Sequence, residues 1–135
     1  MAVSKVCLLV DDDLDDHEIF SLALQDTDHH VEVIRAYDGV EAINFLRDPD
    51  EVLPDFIFLD LNMPKMNGTQ CLAEIRKYDD LKHIPVVIYS TSSEIKDLIE
   101  AQQLGATAYI VKSSNIIDLT LALKDFFKND LPQKT

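Results

Sequence analysis

The 135-residue sequence predicts a single α/β domain built as an open, doubly wound sheet of five parallel strands with five helices. Two observations predict it. Short apolar runs alternate with amphipathic stretches five times along the chain. The first, third and fourth runs are nearly continuous in Val, Ile, Leu and Phe, as strands buried on both faces of a parallel sheet read.

The elements follow in order. Residues 6–10 form an apolar run ended by acids. Ile19, Phe20, Ala23 and Leu24 then recur at helical spacing. Six carboxylates in residues 11–18 open that helix, where the helix dipole favours acids by about 0.3–1 kcal/mol each. Asp15, Asp16 and Glu18 read as solvated cap residues on that account. The second run, residues 31–34, is broken by Glu32 and fits a sheet edge. Ala42, Ile43 and Leu46 give the next helix, and residues 48–54, with Pro49 and Pro54, a loop. Phe56–Leu59 is the third strand; Leu72 and Ile75 mark the third helix. Residues 86–89 are the fourth strand, and Ile95, Leu98 and Ile99 the fourth helix. Residues 109–111 and the stripe Ile116, Leu119, Leu123, Phe126 and Phe127 complete the pattern. All these stripes read as core. Right-handed crossovers with helices on both faces make the flavodoxin-like order 2-1-3-4-5 the economical arrangement. The domain is expected to span 5–128, with a polar, fraying tail at 129–135.

Charge and composition exclude several functions. Twelve Lys+Arg against 25 Asp+Glu give a net charge of −13. So acidic a chain gains no counterion-release energy from nucleic acid, and anionic membrane is disfavoured for the same reason. Cys7 and Cys71 sit in apolar surroundings without metal-ligand spacing, and read as buried thiols of a reducing compartment. The N-terminal apolar run is too short for a signal peptide or a span, so the expected location is cytoplasmic. His17, His29, His30 and His83 lack metal spacing and read as surface or half-buried residues.

Ligands of such sheets bind outside the carboxyl ends of the strands. Asp11, Asp12 and Asp13 follow the first run, Asp60 and Asn62 the third, Ser90 closes the fourth, and Lys112 follows the fifth. The fold gathers there what the sequence scatters. Clustered carboxylates repel one another, and a hard divalent ion such as Mg²⁺, which wants oxygen ligands at about 2.1 Å, relieves that. A carboxylate at Asp60 can attack phosphorus and form an acyl phosphate. Metal, the Lys112 ammonium and the Ser90 hydroxyl would then each take one phosphoryl oxygen.

The stretches around Leu8–Asp13, Leu59–Gly68, Pro85–Ser90 and Gly105–Lys112 resemble the response-regulator receiver domains of two-component signalling, chemotaxis-type single-domain members among them, over essentially the whole chain. The resemblance implies that Asp60 is the phosphoacceptor. It implies Mg²⁺ held by Asp11, Asp12, Asp60 and the backbone carbonyl of Asn62, and phosphoryl contacts from Ser90 and Lys112. Tyr109 matches the aromatic switch that works with Ser90, and Asn62 and Ser92 flank the hydrolytic water. Asp13 is an extra acid rather than a ligand. The implied donor is a histidine kinase or phosphotransfer protein, or a small acyl phosphate. The chain would catalyse only its own phosphorylation and dephosphorylation.

One position departs from the pattern: Ser113 follows Lys112 where most receivers have proline after a cis bond. That departure, with the long loop at 48–54, is similar to the small receivers that partner bacterial phytochromes. In that subgroup the receiver stands alone and dimerises through the face of its fourth helix, fifth strand and fifth helix. Seven residues after Lys128 leave no output segment, so the expected output is a protein contact on that face, near Ile95, Leu98, Tyr109 and Ile116. Three other readings compete. A phosphatase of the haloacid-dehalogenase kind wants an acid where Asn62 stands. A receiver-like module without phosphorylation has Ser113 as its support. An FMN binder would set phosphate against Asp11, Asp12 and Asp13, which repel it.

Overall fold

The computed structural model describes residues 5–27 and 29–129. Strands β1 (Lys5–Val10), β2 (Val31–Ala36), β3 (Phe56–Leu59), β4 (Val86–Ser90) and β5 (Ala108–Val111) alternate with helices α1 (Leu14–Gln25), α2 (Gly39–Leu46), α3 (Gly68–Lys77), α4 (Ile95–Gln103) and α5 (Ile116–Asn129). All pairings are parallel, in the order β2-β1-β3-β4-β5. The sequence-based topology is thus the observed one, with β2 extending to Ala36 and lying at an edge. Asn129 closes α5; the rest of the expected tail lies outside the described residues.

Successive strand side chains point to opposite faces, so the apolar runs feed two cores. Leu8, Val10, Ile57, Leu59, Val86 and Ile88 pack with residues of α2, α3 and α4. Cys7, Leu9, Phe56, Phe58, Val87 and Tyr89 pack with residues of α1 and α5. The second core is aromatic: Phe20 meets Phe58 edge-on at 4.9 Å, and Phe56 lies 5.4 and 5.5 Å from Phe126 and Phe127. Each such side chain, fully buried, contributes about 1.5–3 kcal/mol. Cys7 and Cys71 are free and buried, and burial pushes both thiols up, Cys71 to about 12.

Local chemistry sets where the helices start. Asp13 caps α1, accepting from the N–H groups of Asp15 and Asp16. Asp38 caps α2, and Asn67 with Gln70 forms a reciprocal capping box on α3.

Helix α4 corrects the sequence reading. Ile95, Leu98 and Ile99 are 74%, 38% and 48% exposed, not core. The side of α4 turned to the sheet carries Ala101, which is buried, with Leu104 just beyond the helix packed against the same core. Periodicity found the helix but not the side that faces inward. Among the described residues, no helix is long and apolar enough to cross a membrane.

Candidate functional site

The strand ladder continues one residue past the strands, and this sets the site. The Asp11 N–H donates to Ala36 O (3.0 Å), the Asp60 N–H to Val10 O (2.9 Å) and the Lys112 N–H to Ser90 O (2.7 Å). Asp11, Asp60, Ser90 and Lys112 therefore stand side by side at the carboxyl ends of β1, β3, β4 and β5. Carboxylate oxygens of Asp11, Asp12 and Asp60 lie within 4.8 Å of one another. Asp11 and Asp60 are buried and Asp12 is exposed. Hard oxygen donors at this spacing suit a divalent cation.

Lys112 crosses this cluster. Its Nζ lies 2.8 Å from Asp11 Oδ2, 2.7 Å from Asp16 Oδ2 and 3.6 Å from Asp60 Oδ1. The Tyr89 ring lies below it, 5.2 Å from Nζ to the centroid. Burial by itself would lower the Lys112 pKa. The hydrogen bonds to Asp11 and Asp16, with the charges of Asp11 and Asp60, outweigh it and raise the pKa, so the ammonium stays charged. Burial pushes Asp60 up to about 6; the Lys112 charge and the Asn62 N–H oppose this, and the charges of Asp11 and Asp12 add to it. Asp11 is also raised, by burial first, against its Lys112 and Asp13 hydrogen bonds.

The Lys112–Ser113 peptide is trans, as are all peptides among the described residues. Ser113 turns its hydroxyl to Asp118 on α5 (3.0 Å).

The loop after Asp60 is folded back tightly. The Gly68 N–H donates to Leu61 O at 2.9 Å. Lys65 adopts a left-handed backbone, φ 65°, and its ammonium pairs with Asp38 at 3.5 Å. Asn62 is exposed, two residues beyond Asp60.

Ser90 is fully buried, and its Oγ accepts from the Ser92 N–H at 3.2 Å. Ser92 in turn accepts at its carbonyl from the Tyr109 hydroxyl (2.8 Å) and donates its own hydroxyl to Asp97 on α4 (2.5 Å). Ser90, Tyr109 and α4 thus share one residue.

Two expectations are corrected. Asp16 is not a solvated cap residue but a direct partner of Lys112. It lies one turn before Phe20, on the α1 side that covers the sheet, and that spacing was the available signal. His17 is fully buried rather than on the surface. Its Nε2 lies 2.8 Å from Asp11 O and its ring 4.8 Å from that of Tyr37. A carbonyl can only accept, so the proton belongs on Nε2. Asp13 is the α1 cap, its side chain accepting from the N–H groups of Asp15 and Asp16.

The chain is similar to known proteins in the same terms. The family model "Response regulator receiver domain" matches residues 7–124. Response regulator Rcp1 of Synechocystis sp. (strain ATCC 27184 / PCC 6803 / Kazusa) is 40% identical over 121 residues, 85% of this chain and 81% of the relative. Chemotaxis protein CheY-3 of Vibrio cholerae serotype O1 (strain ATCC 39315 / El Tor Inaba N16961) is 37% identical over 93 residues, 69% of each chain. Among solved structures, the Mn²⁺-bound form of Rcp1 superposes with a TM-score of 0.84 at 36% identity, covering 97% of both chains. The phosphorylated cyanobacterial phytochrome response regulator RcpA gives 0.86 at 36% identity, covering 97% of this chain and 100% of that one. With strand order, acidic cluster and sequence in agreement, the chain belongs to the response regulator receiver domain family of two-component signalling.

Proposed function

We propose that this receiver accepts a phosphoryl group on Asp60 with Mg²⁺ and signals through a phosphorylation-dependent protein contact. The observation that carries the reading is Lys112 reaching from the end of β5 to lie 3.6 Å from Asp60 Oδ1, beside the carboxylates of Asp11 and Asp12. Asp11, Asp12, Asp60 and the Asn62 carbonyl would hold the ion, which when bound neutralises their charge and that of one phosphoryl oxygen.

An ionised Asp60 oxygen attacks phosphorus. The bond from phosphorus to the donor's imidazole nitrogen or acyl oxygen breaks, and its electron pair leaves with the donor. Lys112 holds a second phosphoryl oxygen, and Ser90 turns its hydroxyl hydrogen to a third. The shift of Ser90 releases the Ser92 N–H, and through Ser92 it reaches Tyr109 and α4. Asn62 and Ser92 flank the water that later hydrolyses the acyl phosphate. The chain thus catalyses its own phosphorylation and dephosphorylation and no other reaction.

The donor is a histidine kinase or phosphotransfer protein, and the phytochrome-associated relative favours a phytochrome-type sensor. The exposed Ile95, Leu98 and Ile99, with Tyr109 and Ile116, form the output face on α4, β5 and α5, used by a target or by a second copy. The place of action is the cytoplasm.

Incubation with acetyl phosphate and Mg²⁺, followed by intact mass, tests the reading. Wild type gains one phosphoryl group and Asp60→Asn gains none. An unmodified wild type, or an equal adduct on the variant, overturns it.

A further inference from the structure

We propose that Asp16 is the positioning residue for Lys112: a carboxylate outside the metal cluster that keeps the ammonium at Asp60 when Asp11 turns to the cation. This inference rests on the reading of Asp60 as phosphoacceptor.

Three carboxylates surround Nζ, and they are not equivalent. Asp11 and Asp60 belong to the acidic cluster with Asp12; Asp16 does not. Asp16 also makes the shortest of the three contacts, at 2.7 Å. An ammonium has three N–H donors. Asp11 and Asp16 take two at hydrogen-bond distance, and Asp60, at 3.6 Å, faces the third.

A divalent cation on Asp11 occupies that carboxylate and repels the ammonium. The Lys112 side chain is only 9% exposed, and a buried ammonium stripped of its anion is strongly destabilised. Asp16 removes that conflict. It stands in the first turn of α1, whose end is fixed by Asp13, and its carboxylate is 23% exposed and outside the acidic cluster, so a cation held there leaves it on Lys112. The lysine can then exchange Asp11 for a phosphoryl oxygen on Asp60 without leaving its site. Tyr89 bounds the same pocket from below. Ser113, next along the chain, is engaged with Asp118 instead.

The test is the affinity for beryllium fluoride, a phosphoryl analogue, at saturating Mg²⁺, measured by calorimetry on wild type, Asp16→Asn and Asp16→Glu. The amide keeps the shape and removes the charge; a charge-assisted hydrogen bond lost from Lys112 corresponds to a loss of affinity of about tenfold. Asp16→Glu, which returns a carboxylate, recovers most of the wild-type affinity, as a purely structural role would not require. Asp16→Ser serves in place of the amide variant should that one not fold. Wild-type affinity in the charge-free variants, or an equal loss in Asp16→Glu, overturns the inference. A wild type that binds no beryllium fluoride overturns the phosphoacceptor reading itself, and this inference with it.

Discussion

Gly68→Ala sets two effects against each other, and the structure decides between them. Gly68 is the first residue of α3, in a helical backbone open to any L residue. Alanine there is favoured by about 0.4–1 kcal/mol, chiefly because it restricts the unfolded chain. That effect alone makes the variant more stable. Its Cβ, however, would lie 2.2 Å from Asp60 O, 2.7 Å from Leu61 Cα and 2.9 Å from the Asp60 carbonyl carbon. Ordinary contact begins near 3.4 Å, so the backbone must retreat by about 1 Å. All three obstacles are main chain, so no side chain can swing aside. The retreat also strains the Gly68 N–H bond to Leu61 O. Overpacking of this kind costs about 1–3 kcal/mol or more, and the alanine gain offsets part of it. The net expectation is a loss of about 1–2 kcal/mol, or a Tm lower by roughly 3–8 °C. Because the displaced carbonyl belongs to Asp60, affinity for beryllium fluoride falls too. Urea unfolding and calorimetry measure both. A Gly68→Ala protein as stable as wild type would refute the close-approach reasoning.

Three further predictions concern charge and packing. Asp60 titrates near 6 in the fold, above its ordinary value of 3.8, so the folded state favours its protonated form. In EDTA, Asp60→Asn therefore raises Tm over wild type at pH 8, and the gain disappears as pH falls below about 4; a gain independent of pH contradicts the burial argument. For the same reason Mg²⁺ binding at pH 6 expels protons from Asp60, and apparent affinity climbs from pH 5 to about 7 and then levels off; calorimetry in buffers of different ionisation heat reads the release, and none at pH 6 would count against it. Arg76 donates to Gly105 O, Lys82 O and Ile84 O at 2.8–3.1 Å, so Arg76→Met costs about 1.5–3 kcal/mol in urea unfolding; a loss below about 0.5 kcal/mol would show these bonds to be dispensable.

Strand order and the gathering of the candidate site residues at one sheet edge were legible because both follow from position relative to apolar runs. A buried parallel strand cannot hide its composition, and the residue at its carboxyl end has one place to go. Asp11, Asp60, Ser90 and Lys112 were found that way. Asp16 was not, because acids in a first helical turn are common for a local reason, the dipole. Its contact with Lys112 depends on how α1 lies over the sheet. His17 was missed similarly: its partner is a main-chain carbonyl, which leaves no trace in sequence. On α4 the error ran the other way. Ile95, Leu98 and Ile99 have the spacing of a core stripe, yet the inward position belongs to Ala101.

The Lys112 ammonium is joined to Asp11 and Asp16 across 101 and 96 residues of chain. During synthesis the acids emerge early and their cation almost last. Until β5 pairs with β4, nothing holds the ammonium beside Asp11 and Asp60. A chain lacking its last strand and helix would keep these acids in its sequence and lose the element that places Lys112. The charge balance of the candidate site thereby depends on completion of the sheet.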